Sequence, residues 1–356
     1  MEQTLTHGGD WAGYEAQYGT APLDFSANIS PLGLPPAVRE AAVRSLDQAA
    51  SYPDPLCRAL SGALAQAEGV DPDWCLCGNG AADLIYRAAL ARRPARALVT
   101  APAFSEYEAA LELVQCRTDR FALREEDDFG LDQGFVEAVG PETDMVFLCQ
   151  PNNPTGRTVP RPLLERVLER CRAVGALLVV DECFCDFLDD PGGFTMTGLL
   201  GEYGNLLVLK AFTKLYAMAG LRLGYCLCSD RALLDAMRGA GQPWAVSGPA
   251  QAAGAAALGE TEYVRDLRAL IGRERPRLAA ELSRLGFRVI PGEANYLLFH
   301  SRTPLIQPLR ERGILLRDCG NYHGLEAGWY RAAVRTAEEN DCLTAALEEI
   351  LKEEAP

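Results

Sequence analysis

The chain has 356 residues, 48% of them hydrophobic and 23% charged, with a formal net charge of −15. That length and composition suit one large α/β domain plus a smaller one. So acidic a chain is repelled by nucleic-acid phosphates and by anionic lipid, so neither is expected as a partner, and any anionic ligand must be held by a local group of cations.

Taken in chain order, the opening MEQTLTHGGDWAGY has no basic start followed by an apolar core, so no secretory signal is expected. No apolar run approaches the roughly 20 residues a membrane span needs. ARALVTAP (95–102) reads as a buried strand and FSEYEAALELV (104–114) as a helix. DMVFLCQPNNP (144–154) reads as a strand ending in a turn, and PLLERVLERCRAV (162–174) has apolar residues at helical spacing. ALLVVDECF (176–184), NLLVLKAFTK (205–214) and RLGYCLCS (222–229) read as further strands. Continuous apolar strands separated by amphipathic helices imply a mostly parallel sheet with helices on both faces. In such sheets ligands bind beyond the carboxyl ends of the strands. The C-terminal third differs, with a long helix (260–285), the stretch FRVIPGEANYLLFH and a closing helix (338–353). It reads as a smaller α+β domain. The expected division is an N-terminal segment (1–45) joining the small domain, a large domain (46–250) and a small C-terminal domain (251–356).

Twelve cysteines are present but only three histidines, His7, His300 and His323, and there is no C-x-x-C. Cys75/Cys77, Cys183/Cys185 and Cys226/Cys228 are spaced to share one face of a strand. Buried reduced thiols are expected rather than disulfides or a metal site, which implies a reducing compartment, the cytoplasm.

The polar groups of interest fall at strand ends. Asp181 closes the apolar run ALLVV, where an unpaired carboxylate is expensive. PNNPTG (151–156) is a tight turn rich in hydrogen-bonding side chains, and GNGAAD (78–83) puts glycines before a helix whose first N–H groups suit a phosphate. Lys214 and Arg222 follow later strands, whereas Lys210 reads as a strand-end lysine with its head in water. One amine, one buried acid, one asparagine, one arginine and a glycine-rich helix start are the parts needed to hold pyridoxal 5'-phosphate.

PNNPTG, VVDECF and TK-x7-R-LGY, in that order and spacing, resemble the fold-type I enzymes of the class I/II aminotransferase family over nearly the whole chain. The resemblance implies that Lys214 bonds to the cofactor and later shuttles protons, and that Asp181 pairs with the ring nitrogen. Asn153 would donate to the phenolate oxygen. Arg222, Thr213 and the N–H groups of Gly80 and Ala81 would hold the phosphate. Phe104 would stack on the ring, its plainer role being core packing. Tyr52 resembles the tyrosine that reaches a neighbouring subunit's cofactor phosphate, which implies a homodimer with shared sites. Two positions depart from the family: Phe184 stands where a tyrosine is common, and Ala211 where a serine or threonine is common.

HGGD (7–10), DFSANISPLG (24–33) and LRDCGNYHGLEAGWYRAAVRT (316–336) resemble the threonine-phosphate decarboxylases of the cobalamin pathway. The related histidinol-phosphate aminotransferases share the middle motifs. Both imply an amino substrate carrying a phosphate. The resemblance assigns Arg335 to the α-carboxylate and Arg317 to the substrate phosphate, with His7 and Asn28 as helpers. Arg331 is read as a surface ion-pairing residue, a role weighed for Arg317 and set aside. The expected activity is decarboxylation of O-phospho-L-threonine; the alternatives are aminotransfer from histidinol phosphate or a similar amine, and decarboxylation of O-phosphoserine. A transcription regulator of this fold is disfavoured, since no basic helix-turn-helix precedes it.

Overall fold

The computed structural model describes residues 7–353. The first six residues, which carry part of the expectation against a secretory signal, lie outside the described residues. Among the described residues the strands, in order, are β1 (Leu23–Asp24), β2 (Cys75–Gly78), β3 (Arg96–Ala101), β4 (Arg117–Ala122), β5 (Met145–Cys149), β6 (Leu177–Asp181), β7 (Leu206–Ala211), β8 (Gly224–Leu227), β9 (Arg288–Val289), β10 (Tyr296–His300), β11 (Ile314–Leu315), β12 (Arg317–Asp318) and β13 (Trp329–Ala333). The α-helices are α1 (Trp11–Tyr18), α2 (Pro36–Ser45), α3 (Arg58–Glu68), α4 (Gly80–Arg92), α5 (Glu106–Leu113), α6 (Gly134–Ala138), α7 (Arg161–Val174), α8 (Phe212–Leu215), α9 (Arg231–Gly239), α10 (Gly248–Ala257), α11 (Thr261–Arg284), α12 (Ile306–Glu311) and α13 (Ala337–Glu353).

Seven strands form one sheet in the order β2-β8-β7-β6-β5-β3-β4, and only β8 runs against its neighbours. Side chains alternate across it, as strand geometry requires. Met145 and Phe147 of β5 join a core with α4, α5 and α9, while Val146 and Leu148 join the opposite core with α3, α7 and α10. This is the mostly parallel, doubly covered sheet that the apolar runs imply. The smaller sheet, β12-β13-β10-β9, is antiparallel and packs on α11 and α13 through Leu297, Phe299 and Ala332. The N-terminal β1 pairs with β11 beside it.

Three local differences from expectation have physical causes. The strand foreseen to run to Lys214 stops at Ala211; Phe212 and Leu215, three apart and both buried, turn the chain into the single-turn α8 that carries Lys214. Helix α10 packs its buried Ala250, Ala253 and Ala257 into the large core together with Val38 of α2. The boundary expected near residue 250 thus falls inside α10, a helix packed on the large core. Lys210 does not reach water: it is 6% exposed, and its Nζ donates to Glu68 Oε1 at 3.1 Å and Asp186 Oδ1 at 3.5 Å. Burial alone would depress its pKa, but those carboxylates more than offset this and hold it raised. All twelve cysteines are free, and nine are buried. No helix among the described residues is long and apolar enough to cross a membrane, and no group of three His, Cys, Asp or Glu among them is arranged to hold a metal.

Candidate active site

The carboxyl ends of β5, β6 and β7 meet the small lobe at a cleft lined by His7, Asn28, Ala81, Phe104, Asn153, Asp181, Thr213, Lys214, Arg222 and Arg317. Ten residues foreseen from sequence are thus brought together. Gly80 borders the same cleft, and Tyr52 and Arg335 lie outside it.

Lys214 projects from α8, and its Nζ donates to the Ala27 carbonyl at 2.6 Å. Burial, and then the Arg331 charge, lower its pKa to about 8. A neutral amine is therefore accessible near physiological pH, as a nucleophile requires. Asp181, at the end of β6, has both oxygens engaged: Tyr107 Oη donates to Oδ2 at 2.7 Å and the Cys183 N–H to Oδ1 at 3.0 Å. Tyr107 is itself buried, stacked on Phe147 at 4.9 Å and edge-on to Phe104 at 5.7 Å. One side chain thus braces both the acid and the ring-stacking candidate.

The phosphate end is built from backbone. Gly80 opens α4 at φ 84°, and a Cβ there would fall 2.7 Å from Arg222 Nη2. Across from it, a Cβ on Gly224 would fall 2.5 Å from the Ala81 nitrogen, so β8 lies directly against the helix start. Only glycine permits both the left-handed turn and the close approach. Ala81, Thr213 and Arg222 line this end of the cleft, with Gly80 against Arg222, and a helix start with such a cation suits a phosphate. Phe184 packs edge-on against Tyr296 at 5.0 Å and offers no hydroxyl. Tyr296 Oη donates to the Asn152 carbonyl at 2.8 Å, and Asn153 lines the cleft.

Of the three arginines near the small lobe, Arg317 and Arg331 line the cleft and Arg335 does not. Arg335 Nη2 pairs with Glu339 Oε1 at 2.8 Å and Nη1 donates to the Asp24 carbonyl at 3.0 Å. It follows the end of β13, where it belongs to the turn that caps α13 and does not face the cleft. Arg331, read from sequence as a surface residue, is 6% exposed and lines the cleft. Its Nη1 donates to Asn153 Oδ1 and its Nη2 to the Ser26 carbonyl at 2.8 Å, while Nε is buried without a partner. The sequence did hold a signal, an arginine inside the apolar strand WYRAA. Arg317 and Arg331 stand directly opposite each other in the β12–β13 ladder, and both are buried. Like charges in that relation destabilise a sheet unless an anion joins them.

Asn28 is 1% exposed, and neither end of its amide has a protein partner. A buried amide with no protein partner, in the same cleft as Arg317 and Arg331, suits the polar groups of a ligand. His7 lines the cleft but its Nε2 meets Glu106 Oε1 at 2.8 Å, an interaction that, ahead of the opposing effect of burial, holds the Glu106 carboxyl below its usual range. Tyr52 is 79% exposed and stacks on Trp244 at 4.5 Å.

The donor set fits pyridoxal 5'-phosphate: an amine of lowered pKa, a fully engaged buried acid, an asparagine and a backbone phosphate cup. Residues 20–347 match the family model "Aminotransferase class I and II". The chain is 39% identical to the threonine-phosphate decarboxylase of Salmonella typhimurium, over 98% of each chain. It is 33% identical to histidinol-phosphate aminotransferase 1 of Cupriavidus pinatubonensis, over 93% of this chain and 88% of that one. Its fold matches the histidinol-phosphate aminotransferase of Sinorhizobium meliloti in complex with pyridoxal-5'-phosphate with a TM-score of 0.87 and 25% identity, covering 99% of this chain and 97% of that one. The chain belongs to the class I and II aminotransferase family of pyridoxal 5'-phosphate-dependent enzymes, and that cofactor is its own.

Proposed function

We propose that this enzyme decarboxylates O-phospho-L-threonine to 1-amino-2-propanol O-phosphate, the reaction of the cobalamin-pathway decarboxylases it resembles. The observation that carries the proposal is the pair of buried arginines, Arg317 and Arg331, facing each other beside Lys214. Two cations held together at a cost suit a substrate with two anionic groups. Arg331 takes the α-carboxylate and Arg317 the phosphate, and Asn28 supplies hydrogen bonds between them. The 39% identity to a named decarboxylase supports the same choice.

When bound, the cofactor supplies a protonated ring that accepts the electron pair released at Cα. Asp181, positioned by Tyr107, keeps the ring nitrogen protonated, and Asn153 donates to the phenolate oxygen. The bond that breaks must stand perpendicular to the ring. Arg331 and Arg317, gripping opposite ends of the substrate, set which Cα bond does so. Lys214, in its ammonium form, would return a proton to Cα after the carboxylate has left as CO2. The flanking walls, Phe104 and Phe184, exclude water from that step.

The competing activity is aminotransfer from a phosphorylated amine to 2-oxoglutarate, supported by the likeness to histidinol-phosphate aminotransferases. CO2 release from O-phospho-L-threonine without 2-oxoglutarate is the expected result. Turnover that strictly needs 2-oxoglutarate and releases no CO2 overturns the proposal. O-phosphoserine belongs in the same assay, since one methyl group is worth only ~1–3 kcal/mol of discrimination. A homodimer is part of the proposal: exposed Val43, Leu46, Tyr52, Leu56 and Trp244 are the apolar side chains such an interface would cover, and Tyr52 would reach the neighbour's phosphate cup. The free cysteines fit the reducing cytoplasm.

A further inference from the structure

Near its start the chain crosses from one lobe to the other. Helix α1 is tied to the small lobe: Tyr14 Oη donates to the Arg310 carbonyl at 2.9 Å, and the Trp11 indole N–H to Asp24 Oδ2 at 2.8 Å. Just before α1, His7 meets the large lobe. Its Nε2 lies 2.8 Å from Glu106 Oε1 at the start of α5, and its ring is 5.8 Å from that of Phe104. Between these anchors Gly8 and Gly9 lie on Ser26. The Gly9 N–H donates to Ser26 Oγ at 2.8 Å, and a Cβ on Gly8 would overlap the Ser26 carbonyl oxygen. That carbonyl accepts from Arg331 Nη2, and the next one, of Ala27, accepts from Lys214 Nζ. His7 and Gly8 both line the cleft. Residues 7–9 are thus a strap along the cleft, seated on the peptide that orients Arg331 and Lys214.

A half-exposed histidine–carboxylate pair is by itself worth little. This one differs because the carboxylate is held from behind. The Glu106 side chain is 19% exposed, and Tyr86 Oη of α4 donates to its Oε2 at 2.8 Å. With that oxygen engaged, the carboxylate presents one fixed acceptor to a histidine 99 residues away in sequence. A carboxylate beside the cleft also repels an anionic substrate, so its presence there needs a compensating use. We propose that Glu106, braced by Tyr86, is a positioning residue: it latches His7 to the large lobe and so holds the strap against the substrate. The kinetic part of the proposal rests on the decarboxylation of O-phospho-L-threonine proposed above.

Hydrogen exchange and a double-mutant cycle in the holoenzyme test it. Amides of residues 9–14 should exchange about tenfold faster in Glu106→Ala, for the loss of one charge-assisted hydrogen bond. The KM for O-phospho-L-threonine should rise about tenfold, with kcat within about threefold and the cofactor absorbance unchanged. His7→Ala should reproduce both changes, and adding Glu106→Ala to it should change neither further. Tyr86→Phe, at a position that does not line the cleft, should shift both in the same direction by about threefold. Glu106→Gln keeps an acceptor for His7 and should recover most of the loss. Other roles for Glu106 predict otherwise. If it acts only as a charge, Glu106→Gln and Glu106→Ala both lower KM. If it acts only as the first residue of α5, the thermal midpoint falls while exchange at residues 9–14 and KM stay parental. Either result overturns the proposal, as does a KM loss that adds to that of His7→Ala. If O-phospho-L-threonine releases no CO2, the functional reading falls by itself, and the exchange cycle still decides the latch: parental exchange in Glu106→Ala overturns it.

Discussion

Replacing Arg331 and Arg335 separately by alanine should give opposite phenotypes. Arg331 is buried at the substrate end, and its Nε has no protein partner. A bidentate carboxylate grip there is two charge-assisted hydrogen bonds, each worth about 1.5–3 kcal/mol. Losing both predicts a fall in kcat/KM of about 10²- to 10⁴-fold. The apo-protein should lose little stability by comparison, because the substitution also relieves the like-charge pairing with Arg317. Arg335 makes an ion pair that is partly exposed on both sides and one bond to a backbone carbonyl. Its removal should lower stability by roughly 1–2 kcal/mol and leave kcat/KM within about threefold. Steady-state CO2 release and thermal unfolding of both variants provide the measurement. Parental kcat/KM in Arg331→Ala, or a collapse of kcat/KM confined to Arg335→Ala, would refute the geometric assignment.

Tyr107→Phe keeps the aromatic stack but removes the hydroxyl on Asp181; titration of the apo-protein with cofactor should show about tenfold weaker binding with little change in fold stability. Reconstitution of the apo-protein should accelerate as pH rises to about 8 and then level off, because the neutral Lys214 amine is the reacting form; a rate still climbing toward pH 10.5 would contradict the lowered pKa. Glu182 is fully buried, which raises its pKa to about 7 despite Lys210 nearby. Its folded-state pKa lies above the unfolded value of 4.5, so its contribution to stability is complete below pH 4.5 and is lost as pH rises through about 7. The loss is of order 3 kcal/mol, and Glu182→Gln should flatten that slope in apo-protein unfolding followed across pH 4–8.

The sheet was legible because its strands are buried on both faces and therefore read as continuous apolar runs, and most of the residues that meet in the cleft were legible because short motifs place them at strand ends. Arg331 was missed for an instructive reason. An unexplained cation in an apolar run marked Lys214, and Arg331 satisfies the same criterion in WYRAA, but its place opposite Arg317 depends on antiparallel register, which no local pattern states. Lys210 failed the other way: its carboxylate partners Glu68 and Asp186 come from distant segments of the chain. Tyr107 carried no signal beyond helix periodicity, because its hydroxyl matters only through where β6 ends.

The near-contact of Gly224 with the Ala81 nitrogen ties the phosphate cup to the register of β8 on β2. No side chain can be inserted there without sliding a strand, so the cofactor end offers almost no freedom for gradual redesign. The substrate end is built otherwise, from a braced surface turn and the face of a small antiparallel sheet, where single side chains can change without moving the main sheet. Glycine at position 224 is therefore tied to the main sheet, whereas Asn321 and His323, exposed on the turn, are not.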